Sequence, residues 1–316
     1  MRSITVGLTA VIVAVTDEEP RVLTQATRDV PALPFGPLDP DAHKTLELGL
    51  RSWVLEQTGL ELGYVEQLYT FGDRDREVEA DGSRARVMSV AYLALVRESE
   101  IAGRPGARFR AIYDFFPWED WRRGRPKTLD EVLIPALRAW LAEAADEEQY
   151  RVRRHRLDVA FGRHGTPWDG DRVLERYELL YEAGLVAEAL RDRQVSEVSP
   201  PSAGRLGVDL ALDHRRILAT ALGRLRGKIR YRPLVFELVP ETFTLFQLQR
   251  TVEALAGVEL HKQNFRRLVE RGGLVEGTGE IEPNTGGRPA ERFRFRREVL
   301  RERPAPGVGL PGVRRG

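Results

Sequence analysis

The sequence contains no cysteine, which excludes disulfides and thiolate metal sites and suits a reducing cytoplasm. It also lacks an excess of either charge. The 49 Lys/Arg face 48 Asp/Glu, for a net charge of +1, so attraction to an acidic partner has to come from a local patch. A membrane span is missing too: the apolar run ITVGLTAVIVAV at 4–15 is about half the length required. A secretory signal would carry a basic leader and a small-residue cleavage site. Here one Arg precedes the run and TDEEP follows it, so it reads as a buried β-strand. No internal repeat is visible. What remains is a chain of 316 residues, 42% hydrophobic and 31% charged, the composition and length of a soluble protein of two or three domains.

The first hundred residues read as mixed α/β. Val6–Val15 is a strand, RVLTQAT at 21–27 alternates as a second, and Asp17-Glu18-Glu19-Pro20 is turn chemistry between them. Residues 43–57 have helical spacing, with Leu46, Leu50, Trp53 and Val54 on one face, and RVMSVAYLALV at 86–96 is another strand. From 110 to 193 the pattern is mostly helical. Leu137, Trp140, Leu141 and Ala144 share one face of a helix that Pro135 starts or kinks. Val173, Leu174, Tyr177, Leu180 and Tyr181 share another, which stops near Gly184. Trp118, Trp121, Trp140, Tyr177 and Tyr181 read as helical core rather than a second ligand site. SEVSPPSAGRLG at 196–207 is a linker by composition, and an amphipathic helix follows at about 212–229.

Residues 242–279 carry the clearest local pattern. Thr244 is placed as an N-cap for an apolar stripe of Leu245, Leu248, Val252 and Leu255, and Gly257 ends that helix. A second helix begins near His261 and buries Phe265, Leu268 and Val269. Gln263, Arg267 and Arg271 project from its opposite side, with Lys262 and Arg266 on the flanks. Two short helices with a basic outer face on the second are what major-groove readers present. In ERFRFRR at 291–297, Phe293 and Phe295 point one way while Arg292, Arg294 and Arg296 point the other, as the strand of a wing would. Gln263, Arg266 and Arg267 are the candidates for base edges or nearby phosphates. Lys262, Arg288, Arg292 and Arg294 are the candidates for anchoring phosphate. Residues 229–316 hold 16 Lys/Arg against 11 Asp/Glu, a modest excess, so the joint pattern carries this reading rather than charge.

At the N-terminal end, SWVLEQTGL at 52–60 invites comparison with Nudix-type pyrophosphohydrolases, whose Arg-Glu-apolar-x-Glu-Glu-x-Gly-apolar run holds Mg²⁺ against a pyrophosphate. Anchored on Gly59-Leu60 and on LPFG at 33–36, the alignment puts Ser52 at the Arg position and Trp53 at the first Glu. Glu56 is retained, Gln57 replaces its neighbour, and Lys44 stands near the upstream Glu. One carboxylate cannot do the work of three or four, so no catalytic residue and no metal ligand set is expected.

YVEQLYTFGDRDRE at 64–77, RVMSVAYLALV at 86–96, and DHRRILATALGRLRGKIRYRPLVFELVPETFTLFQLQRTVEAL at 213–255 are long and collinear. With NFRRLVERGGLVEGTGE at 264–280 and GGRPAERFRF at 286–295 they resemble the Nudix-related transcriptional regulators of NAD metabolism known as NrtR. The stretch 100–205 is longer than the usual connection and is more similar to the alphaproteobacterial NAD regulators called NadQ. The resemblance implies an α/β (α+β) fold: a Nudix-like mixed-sheet domain, a helical middle segment and a C-terminal winged helix-turn-helix. The divisions expected are a sensing domain over 1–150, a helical extension and linker over 151–206, the linking helix and winged helix over 207–303, and a disordered tail over 304–316. It further implies a cytoplasmic homodimer without cofactor. That dimer would repress NAD-biosynthesis genes on operator DNA and respond to an adenine nucleotide: ADP-ribose for the NrtR type, NAD or ATP for the NadQ type. Tyr69 and Phe71 either stack on the adenine or fill the core of a strand. Arg84 and Arg86 either face its phosphates or belong to a solvated hairpin. The rival reading is an active ADP-ribose or NADH pyrophosphohydrolase, against which the missing glutamates argue. An RNA-binding winged helix is the weaker reading, because beyond the wing the sequence offers no stacking platform.

Overall fold

The computed structural model describes residues 4–27, 30–72, 86–98, 106–193, 206–283 and 289–309. It begins with β1 (Ile4–Thr16), β2 (Glu19–Gln25) and β3 (Phe35–Pro37), then α1 (Leu46–Thr58), β4 (Tyr64–Phe71), β5 (Arg86–Leu95) and β6 (Ala107–Ala111). The strands form one mixed sheet in the order β4-β5-β1-β2-β6, with β3 beside β1. β1 and β5 run parallel and the other pairs antiparallel. Asp17 and Glu18 make the β1–β2 turn with φ of 52° and 62°, the left-handed pair that a two-residue hairpin needs. Arg122 holds this turn in place, donating to the Glu18 carbonyl at 2.6 Å and pairing with Glu19 at 2.9 Å. α1 starts at an N-cap, where Thr45 accepts from the Leu48 N–H, and stops at Gly59, whose φ is 75°.

The sheet is covered on both faces, which is why β1 reads as an unbroken apolar run. Leu8, Ala10, Ile12, Val90, Tyr92 and Ala94 pack on Leu50 and Val54 of α1. Val11, Val13, Val22, Leu93 and Leu95 face the other way into a larger core built from the rest of the chain. That core runs through α2 (Ile112–Phe115), a π-helical turn at Leu129–Leu133 leading into α3 (Ile134–Ala142), α4 (Glu147–Phe161), α5 (Val173–Glu182), α6 (Ala187–Asp192) and α7 (His214–Ile229). The π turn answers the question raised by Pro135. Proline has no N–H for an i−4 bond, and here the bonding register widens just before it, with the Ile134 N–H reaching the Leu129 carbonyl. Trp118, Trp140 and Tyr177 are buried in this core, and Trp121 and Tyr181 pack against it.

The C-terminal unit opens with a short 3-10 turn at Leu234–Glu237 and β7 (Thr242–Thr244), followed by α8 (Leu245–Ala256) and α9 (Lys262–Arg271). β8 (Val275–Glu282), β9 (Ala290–Phe295) and α10 (Val299–Glu302) complete it. Thr244 and Gln247 form a reciprocal capping box at the start of α8. Phe236 stacks on Phe295 at 4.3 Å, and this pair with Phe243 glues the wing to the helices. Gly257, at the turn between α8 and α9, has φ of 70°. A Cβ there would also lie 2.5 Å from both the Arg226 guanidinium and the Glu119 carbonyl, so glycine is needed twice over. The tail needs a correction. Of the residues expected to be disordered, 304–309 are described, and Val308 is buried with its N–H donating to the Ile229 carbonyl at 2.9 Å. An apolar contact at the end of α7 holds it; residues 310–316 lie outside the described residues.

Among the described residues, no helix is long and apolar enough to cross a membrane.

Candidate functional site

α9 divides its side chains sharply. Phe265 and Val269 are buried and Leu268 half-buried, whereas Lys262, Gln263, Arg266, Arg267 and Arg271 are exposed. Among the described residues, none of the four cations has a carboxylate partner; Arg267 donates only to the neutral Asn264 side chain at 3.0 Å. The row of donors foreseen at 262–267 is therefore assembled on one surface, with its hydrogen-bonding capacity largely unused.

The wing is different. β8 and β9 set Glu276 directly opposite Arg294, and the two pair at 2.6 Å. Arg292 is held by Glu282 at 2.9 Å and by the Thr242 hydroxyl at 2.8 Å. Arg296 pairs with Glu302 at 2.6 Å. Arg292 and Arg294 were expected as phosphate anchors, but each already has a carboxylate, and a phosphate has to compete with it. Arg288 lies outside the described residues.

On α1 the positions that carry metal-binding glutamates in a Nudix hydrolase carry N–H donors. The Trp53 indole donates to the Pro37 carbonyl at 2.7 Å, and the Gln57 amide donates to the Phe35 carbonyl at 2.8 Å. The indole lies so close over Gly36 that a Cβ there would collide with it. Carbonyl oxygens that could face a cation instead face hydrogen atoms. Gln57 Oε1 is buried without a donor, but one amide oxygen between two donors is a poor home for Mg²⁺, which wants an octahedron of oxygens. The residues present do not fit the metal. Of the effector candidates, Phe71 requires correction: it is 6% exposed in the larger core, beside Leu68, which a bulge in β4 turns inward. Tyr69 lies edge-on to it at 5.4 Å and is 62% exposed, so it alone of the pair could stack on a ligand. Arg84 and the Arg86 side chain fall outside the described residues, although the Arg86 backbone begins β5.

A buried charge cluster that sequence reasoning missed joins the sheet-bearing part to the winged helix. Glu119, just beyond α2, is fully buried and binds Arg176 of α5 at 2.5 Å and Arg226 of α7 at 2.6 Å. Arg226 also donates to the Leu255 carbonyl of α8 at 3.2 Å, and the Tyr113 hydroxyl to the Ala254 carbonyl at 2.6 Å. Burial alone would raise the Glu119 pKa, yet the two guanidiniums more than offset it and hold the carboxyl below its usual value. At the other end of α7, His214 accepts from the Leu33 N–H at 3.1 Å, and Ala211 donates to the Pro31 carbonyl at 2.9 Å. One helix thus touches both the loop before β3 and the end of α8. The partners lie 57 and 107 residues from Glu119 in the chain, and no local motif announces them.

Comparison with known proteins agrees with this architecture. Residues 235–295 match the model of the NrtR DNA-binding winged helix domain. Over 90 residues the chain is 42% identical to the ADPR responsive transcriptional repressor NtrR of Acinetobacter baylyi, a stretch covering 28% of this chain and 36% of that one. The chain therefore aligns with little more than a third of that curated relative's length. Shewanella oneidensis NrtR, in a crystal structure with a 27mer DNA, superposes over 94% of this chain and 95% of its own, with a TM-score of 0.56 and 20% identity. A MutT/nudix family protein from Enterococcus faecalis superposes over 94% and 88%, with a TM-score of 0.53 and 16% identity. At those identities the superpositions speak for the fold. Residues 235–295 thus carry an NrtR-type DNA-binding winged helix domain, and the chain as a whole shares the fold of Shewanella oneidensis NrtR.

Proposed function

We propose that this protein is a cytoplasmic transcriptional repressor of NAD-biosynthesis or salvage genes. It works as a homodimer whose two winged helices read the half-sites of an operator with two-fold symmetry. The observation that carries this reading is the outer row of α9, where Lys262, Gln263, Arg266 and Arg267 are exposed and the cations have no carboxylate partner among the described residues. Gln263, Arg266 and Arg267 meet base edges or adjacent phosphates, and Lys262 anchors phosphate. Arg292 and Arg294 make weaker contributions because each must first leave a carboxylate.

The Nudix-like domain senses and does not hydrolyse. Trp53 and Gln57 occupy the face where carboxylates would be required, and their N–H groups are bound to Pro37 and Phe35. ADP-ribose is the effector to test first, because the Acinetobacter relative is named as ADPR responsive; NAD and ATP follow. Tyr69 is the described side chain open for stacking on the adenine. Coupling runs through α7, whose 16 residues span about 24 Å from the Leu33 loop to the end of α8. A ligand near that loop alters DNA affinity only by binding two arrangements of α7 unequally, and a coupling of about 1–3 kcal/mol is usual.

Two measurements on the full chain test this reading. The first is a binding titration with the promoter of an NAD-biosynthesis operon from the source organism against scrambled duplex, with and without each nucleotide. A preference for the promoter that one nucleotide shifts supports the reading, and equal affinity for both duplexes refutes it. The second is release of phosphate from ADP-ribose with Mg²⁺ and a coupling phosphatase, where steady turnover would restore the hydrolase reading.

A further inference from the structure

The segment Trp121-Arg122-Arg123-Gly124-Arg125-Pro126-Lys127, outside the winged helix in sequence, is fastened to the turn that leads into α9. The Trp121 N–H donates to the Gly257 carbonyl at 2.7 Å, and Trp121 pairs with Val258 in a parallel bridge. Because the bridge is parallel, both chains leave it in the same direction: one through Glu259 and Leu260 into α9, the other through Arg122 and Arg123. The loop thus lies against the turn between α8 and α9. Gly124, with φ of 90°, then turns the chain back, its N–H donating to the Trp121 carbonyl at 3.0 Å.

This loop is held rigidly. Trp118 and Glu119, just before it, are fully buried, and Trp121 packs on Trp168 at 4.6 Å. Arg122 is bound to Asp120 and to Glu19 of the sheet, and Arg125 to Asp130 at 2.7 Å. Arg123 and Lys127 are exposed, and among the described residues neither has an ion pair. The fold therefore pairs two cations of the loop with carboxylates and leaves the other two exposed, on a loop fastened to the turn that leads into α9.

We propose that Arg123 and Lys127 form a phosphate clamp for the same DNA duplex that α9 reads, extending the interface beyond the winged helix onto the helical middle segment. The inference rests on the DNA-binding reading above and gives the stretch 100–205 a role in it. A rigid loop lowers the entropic cost of each phosphate contact. Both contacts are to the backbone, so they add affinity and salt dependence without base preference.

The test is the full chain with Arg123→Gln and Lys127→Gln together, titrated with promoter duplex and scrambled duplex at several salt concentrations. Each phosphate contact contributes about 0.9 to the slope of log affinity against log salt. The expected result is a slope shallower by about two, affinity for both duplexes reduced about tenfold or more at moderate salt, and an unchanged ratio between them. The matched control removes two cations from α4, Arg151→Gln with Arg154→Gln; α4 packs on α3 and α5, and its slope should equal that of the wild type. If the wild type prefers the promoter and the loop variant keeps the full slope, the clamp is wrong while the repressor reading stands. If the wild type shows no preference, the repressor reading fails and the clamp fails with it. Thermal melts of both variants should match the wild type. A loop variant that melts early is replaced by Lys127→Gln alone, for which a slope shallower by about one is expected and an unchanged slope refutes the clamp.

Discussion

α1 and α9 are both amphipathic helices at the positions where their folds place a functional surface, and they treat their polar side chains in opposite ways. On α1, Trp53 and Gln57 turn their donors onto the carbonyls of Pro37 and Phe35, and Arg51 donates to the carbonyls of Leu62 and Gly63. On α9, the fold leaves Lys262, Arg266 and Arg267 facing water, without carboxylate partners among the described residues. The first helix closes its own scaffold and the second keeps its donors for a partner.

Four variants probe this contrast, in order of decreasing effect. Glu119→Gln strikes the joint between the two regions and leaves Arg176 and Arg226 buried with a neutral partner. A loss of about 3–5 kcal/mol is expected in urea unfolding. Glu119 is held below its usual pKa, so its contribution is fully present above the ordinary glutamate range and fades only as pH falls below it. The stability gap between wild type and Glu119→Gln should hold constant down to that range and narrow at lower pH; a gap that shrinks between pH 8 and 6 would contradict the assignment.

Next, Trp53→Glu with Gln57→Glu restores carboxylates to α1. Each carbonyl that exchanges an N–H for a carboxylate should cost about 1–3 kcal/mol, and added Mg²⁺ should recover part of the melting temperature in the variant alone. Equal melting with and without the two glutamates would mean that the inward bonds contribute nothing. Arg267→Ala belongs to the opposite class. Promoter affinity should fall by about 1–3 kcal/mol if it meets a base, while unfolding stability stays within about 0.5 kcal/mol of wild type, as for an exposed side chain. Smallest of all is Arg294→Ala. It removes an exposed pair with Glu276, worth about 0–1 kcal/mol, and should barely alter the salt slope of DNA binding, which a slope shallower by a full unit would disprove.

Much of this was legible because it is local. The stripe Leu245, Leu248, Val252 and Leu255, capped by Thr244 and ended by Gly257, is a helix by spacing alone, and the structure places it at Leu245–Ala256. The apolar runs that became β1 and β5 were equally plain. The outward face of α9 followed from 100° per residue. What escaped depends on partners distant in sequence. That Arg294 meets Glu276 is a matter of register across the β8–β9 hairpin. Phe71 is covered and Tyr69 open because of how the larger core packs on β4 beside its bulge, whereas alternation would treat them alike. Trp53 and Gln57 could be read as missing glutamates but not as donors to β3, since that needs the loop from Leu33 folded back over the helix. Nothing near Glu119 in the chain identifies it as buried, and the tail after 303, rich in Pro and Gly, gave no hint that Val308 would be buried beside the end of α7.

In the proposed function, the sheet domain sets the DNA affinity of α9 by binding a nucleotide it leaves intact. One equilibrium titration of the full chain with promoter duplex at fixed salt tests this, with ADP-ribose absent and then saturating, followed by recovery and quantification of the ADP-ribose. The account predicts promoter affinity above that for scrambled duplex, a shift of about 5- to 150-fold on adding ligand, and full recovery of the nucleotide. Promoter affinity unmoved by ADP-ribose, NAD and ATP alike, or ADP-ribose consumed during the titration, would contradict it.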